Sequence, residues 1–142
     1  MIPEDRRYLD THEWGLLEGD VVTVGLADFA VRHLSDLVYI QLPELGERVE
    51  QGERFGEVES VKAVSDINAP VSGEIIEVNT SIVDNLELIT NDCYNDGWII
   101  KIQMEDPSEY DNLLSPEDYE AQVEKEEEEE VFDDDFNSDD DD

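Results

Sequence analysis

Lys62 is the single lysine among the first hundred residues, set in Val58-Glu59-Ser60-Val61-Lys62-Ala63-Val64-Ser65-Asp66 between two short valine-rich runs. An amine between two β-branched runs is placed at a hairpin tip, where the reversal of the chain presents it to solvent. The chemistry open to it is acylation: an amide on the ε-nitrogen removes the charge and turns the side chain into a long carrier arm. The competing reading is an ordinary exposed strand lysine. Ser65-Asp66-Ile67-Asn68-Ala69-Pro70-Val71-Ser72-Gly73 follows. It is a turn-rich handover to the next strand, with Pro70 fixing φ and Gly73 supplying permissive backbone.

Other chemistry finds little support. The chain has one cysteine, Cys93, so no internal disulfide forms and a reducing compartment suits it. With no basic group beside it in sequence, Cys93 reads as a buried structural residue. His12 and His33 are the only histidines, and neither paired cysteines nor an H-E-x-x-H spacing accompanies them, so no metal site is assigned. Gly52, Gly56 and Gly73 do not form a phosphate cradle ahead of a helix. Trp14 and Trp98 read as core. With 41 acidic residues, any pair of carboxylates is uninformative. Binding or carrying is therefore favoured over catalysis.

The elements that must position Lys62 are mostly strands. Val21 to Val24 follow the turn-forming Glu18-Gly19-Asp20, Leu37 to Leu42 alternate ahead of Pro43, and Ile100, Ile102 and Met104 share one face. Short strands at this spacing predict a mainly β sandwich or barrel. Residues 27–34 read as a short helix. Ser115-Pro116-Glu117-Asp118 supplies an N-cap, a first-turn proline and early acids, which predicts a C-terminal helix from about Pro116 to about Glu124. The expected organisation is one domain over 1–124 and a disordered acidic tail over 125–142.

The formal net charge is −33, and residues 124–142 carry thirteen acids against Lys125, which leaves −21 on residues 1–123. Such a body repels nucleic acid and anionic membranes and suits a high-salt setting, where self-repulsion is screened. No apolar run approaches the roughly 20 residues needed to cross a bilayer, and Met1-Ile2-Pro3-Glu4-Asp5 shows no secretory or organellar leader. The expected location is the cytoplasm of a bacterium or archaeon, or a mitochondrial matrix if a transit peptide has been removed.

The lysine segment resembles the lipoyl-attachment segment of the glycine cleavage system H protein family. His12-Glu13-Trp14, Val24-Gly25-Leu26-Ala27-Asp28-Phe29-Ala30 leading to Leu42-Pro43-Glu44-Leu45-Gly46, and Gly97-Trp98-Ile99-Ile100-Lys101-Ile102 follow that family's order over about residues 6–123. Departures are Ser35 where a glycine is usual, Leu86 and Cys93 where proline is common, and the acidic extension. Biotinyl domains and the lipoyl domains of 2-oxoacid dehydrogenases typically carry Met-Lys-Met or Asp-Lys-Ala, unlike Val61-Lys62-Ala63.

The resemblance implies a flattened sandwich of two antiparallel sheets, akin to lipoyl and biotinyl carriers, and a non-catalytic shuttle bearing covalent lipoate on Lys62. Its implied partners are glycine decarboxylase (the P protein), the aminomethyltransferase (the T protein), dihydrolipoamide dehydrogenase (the L protein) and a lipoylating enzyme. A relay that passes lipoate to other carriers, or an unmodified interaction protein of the same fold, stays open as an alternative. Glu13, Asp66 and His33 are implied docking residues for the loaded arm. Shelter of that arm needs an apolar wall and a carboxylate for its ammonium; burying four methylenes contributes about 3 kcal/mol at most.

Overall fold

The computed structural model describes residues 2–34 and 36–127. Its strands are β1 (Arg7–Tyr8), β2 (Glu13–Glu18), β3 (Val21–Leu26), β4 (Leu37–Gln41), β5 (Arg48–Val49), β6 (Arg54–Ser60), β7 (Val64–Asn68), β8 (Gly73–Val78) and β9 (Ile100–Met104). They form a six-stranded sheet in the order β1-β2-β3-β9-β8-β5 and a three-stranded sheet in the order β4-β6-β7. The pairings are antiparallel throughout. This is the mainly β architecture expected from the alternation, and the two antiparallel sheets are those the family resemblance implied. Gly19, at φ 66°, opens the two-residue reversal in which Glu18 pairs with Val21, a position where positive φ costs glycine no steric strain.

The period of two sorts side chains between core and solvent. Val22, Val24, Ile75, Ile100 and Ile102 from the larger sheet meet Ile40, Val58 and Ile67 from the smaller, all buried. A second cluster holds Tyr8, Trp14, Ala27 and Tyr119. Gly25 is required there, because a Cβ on it would stand 2.5 Å from the Trp14 ring. The Trp14 indole N–H is satisfied by the carbonyls of Leu26 and Cys93, each at 3.1 Å. Trp14 and Cys93 are core residues as expected, whereas Trp98 is half-buried and lies beneath the Lys101 ammonium.

Helix α1 (Asp28–Leu34) matches the expected 27–34 within one residue. Three short helices were not foreseen: α2 (Ser81–Asp84), α3 (Glu87–Asp92) and α4 (Pro107–Asp111). Residues 116–127 form α5, entered at Ser115, whose hydroxyl accepts from the Asp118 N–H at 3.2 Å. The N-terminal signal was therefore read correctly, but the helix passes the expected end at Glu124. The expected tail boundary at 125 falls inside α5, and residues 128–142 lie outside the described residues. The extension is explained by contacts: Tyr119 stacks on Tyr8 with ring centroids 4.4 Å apart, and Glu126, one turn beyond Gln122, pairs with His12 at 3.1 Å.

Candidate functional site

The tip Val61-Lys62-Ala63 joins β6 to β7, with Glu59 opposite Val64 in the last paired row. The Ser60 N–H donates to the Ala63 carbonyl at 2.7 Å. The buried Ser60 hydroxyl accepts from the backbone N–H groups of Lys62 and Ala63, at 3.3 and 3.1 Å, and donates to the Ala63 carbonyl at 3.1 Å. The turn is thus closed by its own strand-end serine, a local use of a hydroxyl that favours turns. A further bond, from the Val61 N–H to the Asp36 carbonyl at 2.9 Å, ties the tip to the segment after α1. The Lys62 side chain is exposed, and it makes no hydrogen bond or ion pair among the described residues. A fixed backbone carrying an unengaged amine can offer it as a nucleophile or as an anchor for a long substituent.

Glu13, at the start of β2, is fully buried. One carboxylate oxygen accepts from the Thr11 hydroxyl, and the other accepts from the Asn68 backbone N–H at 2.7 Å and its side-chain amide at 3.2 Å. This carboxylate therefore crosses from the larger sheet to the end of β7 in the smaller. Burial drives its pKa up to about 7, against the pull of the Thr11 and Asn68 hydrogen bonds toward the ionised form. Asp66 lies two residues before Asn68 on the same strand, exposed and opposite Glu57. Arg54 bridges that like-charged pair, at 3.0 Å to Asp66 and 2.6 Å to Glu57.

His33 lies near the end of α1, three residues before Asp36, and Nδ1–H donates to the Phe29 carbonyl at 2.9 Å. The rings of His12, Phe29 and His33 run in series, with centroids 4.6 and 4.2 Å apart. Of the four residues expected at the site, Lys62 lies on the hairpin tip, Asp66 on β7, Glu13 is hydrogen-bonded to Asn68 at the end of β7 away from the tip, and His33 lies on α1, three residues before the tip's anchor Asp36. No hydrogen bond or ion pair joins Lys62 to Glu13 or Asp66 among the described residues. Glu13 is buried and already accepts from Thr11 and Asn68, and Asp66 already holds an arginine.

Ser60, Asn68, Thr11 and Arg54 are the positioning residues that the sequence reading missed. Ser60 had a usable signal, a hydroxyl at a strand end directly before the turn. Asn68 read only as a turn former, and nothing local distinguishes Thr11 or Arg54.

Comparison with known proteins bears on the same segments. The chain is 52% identical over 122 residues to the glycine cleavage system H protein of Cyanothece sp., covering 86% of this chain and 95% of that protein. It is 49% identical over 125 residues to the H protein of Rubrobacter xylanophilus, covering 88% and 97%. The crystal structure of a glycine cleavage system H protein from Mycobacterium marinum superposes with a TM-score of 0.79 at 46% identity, over 85% of this chain and 98% of that one. Residues 6–126, from the residue before β1 to the one that pairs with His12, match the family described as glycine cleavage H-protein, and the chain belongs to that family.

Proposed function

We propose that Lys62 holds covalent lipoate, through which this H-protein family member serves as the lipoyl carrier of glycine cleavage. The observation that carries the reading is the exposed, unengaged Lys62 amine on a hairpin tip whose backbone is hydrogen-bonded to Ser60, Ala63 and Asp36. Acylation suits this position because it breaks no side-chain ion pair or hydrogen bond among the described residues and leaves the tip's backbone bonds intact. When attached, lipoate supplies a disulfide ring that takes up an aminomethyl group with its own reduction. The chain itself positions and shelters, and its own residues make and break no bond of the substrate.

The loaded arm ends in an ammonium, and we assign its docking to Glu13, Asp66 and His33, as the family resemblance implies. Glu13 is the buried carboxylate of this set, and a cation brought to it would favour its ionised form. Asp66 would receive the ammonium in exchange for, or beside, Arg54. The partners in this reading are glycine decarboxylase, the aminomethyltransferase, dihydrolipoamide dehydrogenase and the lipoylating enzyme, in the cytoplasm.

Lys62→Arg retains charge but offers no amine for amide formation. Expected outcomes are no lipoyl mass on the variant, no glycine–bicarbonate exchange with the decarboxylase, and an unchanged thermal midpoint, since the Lys62 side chain makes no hydrogen bond or ion pair among the described residues. Lipoyl mass on another residue, or full exchange activity in the variant, overturns the assignment. Lipoylation of wild type without exchange, but with transfer of lipoate to a second carrier, identifies a relay.

A further inference from the structure

Four of the seven exposed large hydrophobic side chains among the described residues surround Lys62: Val38 and Tyr39 on β4, at 51% and 53% exposure, and Val61 and Val64 at the tip and start of β7, at 73% and 57%. A β-bulge accounts for half of the group. Leu37 pairs with Ser60 and Tyr39 with Glu59, so Val38 is an extra residue on β4. The bulge turns two consecutive apolar side chains outward where strict alternation would bury one. Tyr39, Glu59 and Val64 then form one row across the sheet, because Tyr39 pairs with Glu59 and Glu59 with Val64. Neighbouring Val58 is buried, so this row lies on the outer face.

We propose that the outward face of the three-stranded sheet at Val38, Tyr39, Val61 and Val64 is the docking platform for the enzyme that acylates Lys62; the proposal rests on the carrier reading. Later enzymes of the cycle can meet the arm at the end of its reach. The acylating enzyme must instead bring its reaction centre to Nζ itself while no arm exists, so contact with the residues bordering Lys62 is unavoidable. The platform specifies that partner's chemistry: an apolar cleft for Tyr39, bordered by Lys or Arg to meet Glu59, which makes no ion pair among the described residues, within a strongly acidic surface. In the transfer, the neutral ε-amine attacks the carbonyl carbon of lipoyl adenylate, made from lipoate and ATP. The amide C–N bond forms, the bond from that carbon to the phosphate oxygen breaks, and AMP leaves as the nitrogen sheds its proton.

The test uses full-length apoprotein with a purified lipoate–protein ligase, lipoate and ATP, read by intact mass. Tyr39→Ser should lower kcat/KM for acylation about thirtyfold, the size expected for loss of an aromatic anchor. Val64→Ser should act in the same direction, and added salt should weaken wild-type acylation. Val83→Ser, which alters an exposed apolar residue on α2, should leave the rate unchanged. Wild-type rates in both Tyr39→Ser and Val64→Ser, with thermal midpoints preserved, overturn the platform while leaving the carrier reading intact. Failure of wild type to accept lipoate at Lys62 overturns the carrier reading and the platform together. Normal acylation with impaired loading by the decarboxylase assigns the face to a different enzyme and also overturns the proposal.

Discussion

At the residue scale, Glu13 shows how little a carboxylate's type reveals in a chain with 41 of them. Lys62 was legible because its isolation in sequence marks it. Glu13 could be placed near the arm only by family resemblance, since its burial depends on Asn68, 55 residues away. That burial has a measurable consequence. Its folded pKa of about 7 stands above the ordinary 4.5, so between these values the folded chain keeps a proton that the unfolded chain has lost. The associated stability is present in full below about pH 4.5 and is lost as pH rises through about 7. At about 1.4 kcal/mol per unit, the loss is on the order of 3 kcal/mol. Glu13→Gln, which can still accept from Asn68, should abolish that component. Urea denaturation of both proteins at pH 5 and pH 8 should therefore show a steeper decline in wild type; parallel declines would mean that Glu13 is ionised in the fold across this range.

At the scale of the element, the β6–β7 hairpin was readable because β-branched runs flank a short non-periodic stretch. The helices α2, α3 and α4 were not, because segments of four to six residues do not complete a recognisable amphipathic period. Helix α5 was readable at one end only. Ser115 and Pro116 are local start signals, whereas its continuation to 127 depends on Tyr8 and His12, more than a hundred residues away in sequence. The tip's order likewise resides in one side chain. Ser60→Ala removes the hydroxyl that accepts from two backbone N–H groups and donates to one carbonyl. The expected cost is about 1–2 kcal/mol, because the exposed tip lets water replace part of what is lost. Amide exchange at Val61, Lys62 and Ala63 should accelerate while exchange in β3 and β9 stays slow. Unchanged protection at the tip would show that the Ser60–Ala63 and Val61–Asp36 backbone bonds suffice.

At the scale of the whole molecule, the mainly β architecture was legible because burial in most of β6, β8 and β9 follows their alternation, whereas the division into two sheets was legible only through the family resemblance. The charge distribution has its own consequence for stability. A net charge of −33 leaves few attractive pairs: five arginines and three lysines face 41 acids. The surface pairs that do form, such as Arg48 with Glu105 at 2.7 Å and Arg54 with Asp66 at 3.0 Å, are exposed. Pairs of this kind contribute roughly 0–1 kcal/mol each and weaken with salt. Repulsion among the remaining acids acts over the whole surface and also weakens with salt, as the Debye length falls from about 30 Å at 0.01 M to about 8 Å at 0.15 M. The two effects oppose each other, and the excess of acids decides the sign: screening relieves many repulsive pairs for every attractive one it weakens. The thermal midpoint should therefore rise with sodium chloride over this range, at concentrations too low for salt exclusion from apolar surface to dominate. Arg48→Gln should steepen the rise, because it removes an attraction and leaves Glu50 and Glu105 unneutralised. A midpoint that is flat or falls with salt would mean that the arginine pairs outweigh the acidic surface.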